Sequence, residues 1–547
     1  MKKKIYTCFL LIAAGLAACA QQANFAVLEP VIPKDTVYIT QFGARADGLT
    51  LNTQSINSAI DACHKKGGGV VVVPAGLWLT GPIVLQSKVN LHLQRNATLV
   101  FTTDKSQYPL VKGNWEGLPQ MRNQSPISAT NATDIAITGY GVIDGNGQVW
   151  RQVKKEKLTE AQWKKLIASG GVLSDDGKSW FPSEQFKKAN AMKNPGEIKP
   201  GRDEAYYNSV KDFLRPNLLL LDNCKRVLLE GVTFQNSPAW CLHPLMSEHI
   251  TVRSVSVKNP WFAQNGDGID LESCKNVIIE NSVFDVGDDA LCMKSGRDEA
   301  GRKRGIPTEN VIIRNCTVYH AHGGFVVGSE MSGGVRNVYV SDCTFIGTDI
   351  GLRFKTTRGR GGIVEKIYIN NISMKDIPGE AILFDMYYMA KDPIALPGEK
   401  REAPKVVFEP VSEATPQFRD IHIKNVVCDG AAKAIFIRGL PEMHVKNITL
   451  ENMVLQANRG IDCQEASGIS FTNIKVINKE TAPVVDILNS DNIVFNQLTY
   501  PESAELLFRV GGDRSGKISV QNTDVSKARQ KIQYEFGASE KSVTLKD

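Results

Sequence analysis

From residue 135 onward the apolar positions recur in one pattern. An apolar residue is followed by a second at plus two, a polar or small residue at plus four and an apolar residue at plus seven. The pattern fits Ile135/Ile137/Gly139/Val142, Val227/Leu229/Gly231/Phe234, Ile250/Val252/Ser254/Val257 and Val277/Ile279/Asn281/Phe284. It continues from Val311, Val338, Ile367, Ile421, Ile448, Ile469, Ile493 and Ile518, where plus four holds Asn315, Asp342, Asn371, Asn425, Asn452, Asn473, Gln497 and Asn522. Apolar residues at period two over short stretches specify strands rather than helices. Uninterrupted copies lie 21 to 34 residues apart, the spacing of a solenoid. The polar column marks a corner at which side-chain amides stack and hydrogen-bond along the axis. The predicted fold is therefore all-β, a single-stranded right-handed parallel β-helix whose coils rise about 4.8 Å each.

One coil cannot bury its own apolar face, so both ends need covers. At the N-terminal end, Ile56, Ile60 and Cys63 follow a helical period after Asn52-Thr53, a plausible cap, and stop at Gly67-Gly68-Gly69. The segment 37–80 and the tail after Val525 are the expected covers. Three stretches break the period and predict insertions: 150–214, with Trp150, Trp163 and Trp180, then 296–309, and 386–417, with Tyr387 and Tyr388. Solenoid insertions map to loops, often on one binding face.

Composition narrows the picture. With 42% hydrophobic and 22% charged residues the chain has ample core material. Its net charge of +6 includes Lys2, Lys3 and Lys4, which argues against nucleic acid as a partner. Those lysines precede an apolar run from Ile5 to Ala18, as in an export signal over residues 1–20, leaving 21–547 as one domain. Leu16-Ala17-Ala18-Cys19 resembles a bacterial lipobox whose Cys19 would carry a lipid, although cleavage before Gln21 also fits. The expectation is an exported monomer, periplasmic or anchored to the outer membrane. Nine further cysteines without CxxC spacing argue against zinc and favour small buried core residues over disulfides.

The chemistry gathers where the register brings polar residues together. Asp267 lies 21 residues before Asp288-Asp289, one coil length, with Gly266, Gly268 and Gly287 beside them. Crowded carboxylates raise one another's pKa, so such a group points to acid–base chemistry or a cation. Counted back from the repeat starts, His322, Arg353 and Lys355 fall on the same face of the next coils. The row from Asp267 to Arg353 spans about 14 Å, room for two sugar rings.

Asn265-Gly266-Asp267, Gly287-Asp288-Asp289, His322-Gly323 and Arg353-Phe354-Lys355 resemble, in order and spacing, the four motifs of glycoside hydrolase family 28, the polygalacturonases. Departures from the family pattern are Gly266 for Thr, Ala321 for Gly and Phe354 for Ile. The resemblance implies inverting hydrolysis of α-1,4-linked galacturonate without a metal or cofactor, on a galacturonate-containing oligo- or polysaccharide. Asp288 would be the general acid, its pKa raised by the neighbouring anions; Asp267 and Asp289 would hold and deprotonate water, about 6.5–9.5 Å from the acid. His322 would set the protonation of Asp288, and Arg353 and Lys355 would grip a uronate carboxylate, with Asn265 also at the substrate. Tyr387 or Tyr388 would stack on a sugar, and His243, with Trp240, would bound the non-reducing end. The long insertions suggest a blocked cleft and exo action. Two alternatives stand beside this reading: a pectate-lyase-like β-elimination with Ca²⁺ held by the acids, and a non-catalytic carbohydrate-binding β-helix.

Overall fold

The computed structural model describes residues 24–390, 403 and 406–546. The export signal and Cys19, and part of the third predicted insertion, lie outside the described residues. Thirty-four strands form one ladder, and every pairing within it is parallel among the described residues. Each predicted repeat start lies opposite the next, from Ile135 against Val227 and Val227 against Ile250 to Ile493 against Ile518. All twelve starts are at most 1% exposed, so one column of aliphatic side chains forms a continuous core.

The corner column has a backbone cause. Every non-glycine plus-four residue, from Ser254 to Asn522, adopts φ between 46° and 60°. Asparagine tolerates this left-handed conformation better than other side chains, and glycine, at Gly139 and Gly231, takes it without strain. The amides then bond from coil to coil, Asn315 to Asn281 at 3.3 Å, Asn452 to Asn425 at 3.3 Å and Asn473 to Asn452 at 2.9 Å. A second left-handed column sits one residue before each start and includes Arg226, His249, Asn276, Asn310, Asn337 and Asn447. Its residue types are too mixed to stand out in the sequence.

The predicted helix forms over Thr53–Lys65 and lays Ile56, Ala59, Ile60 and Cys63 over the first coils. Asn52 does not cap it; its side chain instead bonds the backbone of Arg45, Thr50 and Leu79, tying the entry loop to the first coil. At the other end the tail is itself built of rungs. Gln530–Glu535 and Val543–Lys546 extend the ladder, with Ile532, Tyr534 and Val543 half-buried over the last coil. Cysteines 63 to 463 are all free and buried.

Two irregular units stand over one face. Residues 150–214 fold into a three-stranded antiparallel sheet with short helices, packed on Val153, Trp163 and Trp180. The antiparallel hairpin Leu110–Trp115 with Leu118–Asn123 went unpredicted, because its sequence carries neither the repeat nor a compositional break. The predicted insertion at 296–309 forms a short helix over Asp298–Arg304.

Candidate active site

The site lies on the sheet made by Ile269–Glu272, Asp289–Lys294, Gly323–Gly328 and Leu352–Lys355. In each strand the residues opposite Leu291 point inward, as the pairing of Ile269, Leu291, Phe325 and Leu352 requires. The alternate positions point out. Phe354 therefore enters the core, stacked on Phe384 at 4.4 Å, while Arg353 and Lys355 on either side of it reach the cleft. Asp267 stops two residues short of its strand and Asp289 opens the next, so both stand at strand starts on adjacent coils, joined by the bond from Gly268 N to the Asp289 carbonyl. Gly266 and Gly287 are forced by space: a Cβ on the first would sit 2.7 Å from the Ala263 Cβ, and one on the second 2.4 Å from the Pro260 carbonyl oxygen.

One oxygen from each of Asp267, Asp288 and Asp289 lies within 4.8 Å of the others. That is closer than the about 6.5–9.5 Å expected between an acid and a base with water between them. The three differ in their partners. Asp289 takes Lys355 Nζ at 2.6 Å and Arg353 at 3.3 Å. Asp288 lies 3.2 Å from His322 Nδ1 and accepts the Asn265 N–H at 3.2 Å. Asp267 is 3% exposed and its Oδ1 has no hydrogen-bond partner.

The electrostatics overturn one expectation. Burial pushes Asp288 up, but the His322 hydrogen bond and the charges of His322, Lys355 and Arg353 win and hold it below the ordinary carboxylate range. Asp289 is lowered against burial by Lys355 and Arg353. Asp267 goes the other way: burial, then Asp270 and Asp288, raise it well above its usual value. At Asp267 burial and the neighbouring anions outweigh Lys294, whereas at Asp288 burial is outweighed by His322, Lys355 and Arg353. His322 is raised, chiefly by its bond to Asp288, and its Nε2 lies 3.6 Å from Asp349. Among the described residues the three acids are the group that could hold a metal ion, but Lys355, Arg353 and His322 already neutralise two of them, which works against a divalent cation.

The family model of glycosyl hydrolases family 28 matches residues 157–426. The crystal structure of a hyperthermoactive exopolygalacturonase from Thermotoga maritima is 33% identical, covering 79% of this chain and 89% of that one with a TM-score of 0.64. This chain belongs to glycosyl hydrolases family 28. It is a polygalacturonase-type glycoside hydrolase. An exo-poly-alpha-D-galacturonosidase of Dickeya chrysanthemi is 28% identical over 82% of this chain and 71% of that protein. A family 28 exopolygalacturonase of Yersinia enterocolitica shares the fold, with 23% identity, 85% and 79% coverage and a TM-score of 0.65.

Around the family 28 acids lies a cavity of about 460 Å³, and two of the expected substrate contacts are not on it. His243 is fully buried, held between Asn217 at 2.9 Å and Glu272 at 3.0 Å. The hairpin roofs its coil: Asn114 reaches Glu272, and Trp115 stacks on Trp240, which does line the cavity. Tyr387 is also buried, between Arg358 and Arg438 at 5.4 and 5.3 Å. Tyr388 is the tyrosine in the family 28 cleft, its ring 5.0 Å from Lys355 Nζ and 5.7 Å from Arg353. Asn265, Asp267, Asp288, Asp289, His322, Arg353 and Lys355 are brought together as expected.

Sequence reasoning missed the far wall. Glu116 at the hairpin tip meets Arg297 at 3.1 Å, and the Gly117 carbonyl accepts the Arg297 N–H at 3.3 Å. Beneath them Lys294 pairs with Glu330 at 2.9 Å, which is held down at about 2 as the charges of Lys294 and Arg360 overcome burial. Lys294 occupies the rung of Lys355, through Gly328, so an outward-position scan of the repeat would have found it. Glu116 has no such signal, since the hairpin has no place in the repeat.

Proposed function

We propose that this family 28 hydrolase cleaves α-1,4-galacturonosidic bonds at chain ends of pectin-derived polygalacturonan or oligogalacturonides. One observation carries the exo reading: the hairpin tip, Glu116–Gly117, is fastened to Arg297 across one end of the cleft, so a polymer could not run through. Arg353 and Lys355 would take the uronate carboxylate, Arg as a fork and Lys as a point charge, with Tyr388 against the ring. Asp288 would protonate the leaving oxygen and Asp267 with Asp289 would hold the attacking water. Burial, then the charges of Asp270 and Asp288, raise Asp267 well above its usual value, which favours its neutral form in the free enzyme. A bound uronate cancels part of the positive field of Arg353 and Lys355 that keeps Asp288 ionised, which moves proton affinity toward the acid beside the glycosidic oxygen.

The test is a time course on polygalacturonate and on short oligogalacturonides, with chelator present. Immediate release of monomer with new reducing ends is the expected result. A ladder of intermediate sizes would sink exo action, and a new ultraviolet absorbance lost on chelation would mean β-elimination instead.

A further inference from the structure

The cavity does not end at the row of acids and cations. It continues into a lobe lined by Lys154, Lys157, Trp261 and Gln264, away from Arg353 and Lys355 in the sequence and on different elements. Trp261 is 49% exposed, a large apolar ring left open beside a polar site. Lys157 Nζ stands 5.8 Å from the centre of that ring and has no ion-pair partner among the described residues. Among the described residues Lys154 has only the exposed Glu156, at 4.0 Å.

The lobe is built rather than incidental. Its lysines come from the unit 150–214, and Phe262, next to Trp261, packs into the cluster of Val153, Trp163 and Trp180 inside that unit. Gln152 bonds Gln264, which joins the same unit to the loop carrying Asn265 and Asp267. An aromatic face with two cations beside it, neither held by a buried acid, matches the chemistry of an acidic sugar: the ring stacks on the pyranose face and the ammonium groups meet the carboxylate.

We propose that Trp261, Lys154 and Lys157 form a separate subsite for a further uronate residue, beyond the two sugars held along the row of acids and cations. It rests on the proposed hydrolysis of galacturonan, and gives the insertion the task of favouring substrates of three or more residues. A disaccharide is too short to reach it.

The test compares kcat/KM on di- and trigalacturonate for the parent protein, Trp261→Ala, Trp261→Phe and the double variant Lys154→Ala/Lys157→Ala. Trp261→Ala should lose about tenfold or more on the trisaccharide, the scale of a truncated aromatic anchor. The double variant should lose about threefold to tenfold on it, Trp261→Phe should recover most of the loss, and all should cleave the disaccharide within about twofold of the parent. Equal losses on both substrates, or none on the trisaccharide, would overturn the subsite while leaving the hydrolase reading intact. A parent protein that cleaves neither substrate overturns the proposed function and this site with it.

Discussion

Asp267→Asn should make the protein more stable and nearly inactive, and the gain should depend on pH. Asp267 is 3% exposed, with one oxygen unpartnered, and shares a 4.8 Å space with two other carboxylates. At that distance two like charges repel by about 3 kcal/mol at an effective dielectric of about 20. Lys355, Arg353 and His322 cancel much of the field of Asp288 and Asp289, which leaves about 1–3 kcal/mol, the scale of one unsatisfied buried acceptor. Asparagine mimics the neutral acid and removes this cost. The folded-state pKa of Asp267 is raised above its ordinary value of 3.8, so its contribution to stability is full below that value and is lost as pH rises through the folded value. The variant should match the parent near pH 4 and exceed it at about pH 7, by a few degrees in thermal melts followed by circular dichroism. Turnover on oligogalacturonide should fall by about 10²–10⁴-fold, as for loss of a proton-transfer group. A lower melting temperature at neutral pH, or the same difference at both pH values, would refute the upward shift of Asp267.

Lys355→Met should cost about 3–5 kcal/mol in denaturant unfolding, because it strips a 2.6 Å partner from buried Asp289, and should also abolish measurable cleavage of galacturonan. Asp349→Asn should shift the alkaline limb of the kcat/KM profile to lower pH, since Asp349 is one of the charges that raise His322; an unchanged limb would remove Asp349 from that role. Glu330→Gln should flatten the acid limb of stability: the native carboxyl sits at about 2, so its contribution is present above the ordinary value of 4.5 and disappears as pH falls toward about 2. Arg297→Ala should loosen the hairpin tip by removing its ion pair with Glu116 and raise the share of oligomers among early products from polygalacturonate, read by anion-exchange chromatography. The first-formed product should be the β-anomer by NMR, the sign of inversion; an α-anomer first would fit the short carboxylate spacing and a double displacement instead.

The predicted register held at each repeat start because a strand that slips by one residue exposes its whole apolar face, so the pattern of Val and Ile admits one alignment. That alignment alone brings Asp267, Asp288 and Asp289, then His322, Arg353 and Lys355, onto neighbouring rungs. Tyr387 and Tyr388 could not be separated, because adjacent residues differ only in which side of the chain they face, and the turn after Asp385 decides it. His243 misled for a similar reason: it follows the outward alternation, yet the hairpin from residues 110–123 covers that coil.

Repetition wrote the rod, its corners and the row of chemistry into the sequence, since each coil repeats the constraints of the one below it. The tertiary structure alone decided what stands over that row. The hairpin wall, the lobe of Trp261 and the side of the acid cluster on which the cations gather all depend on contacts between segments with no common period. The upward shift of Asp267 follows from the same cause: burial and the direction of neighbouring charges are properties of the packed site, and three aspartates in a sequence look alike.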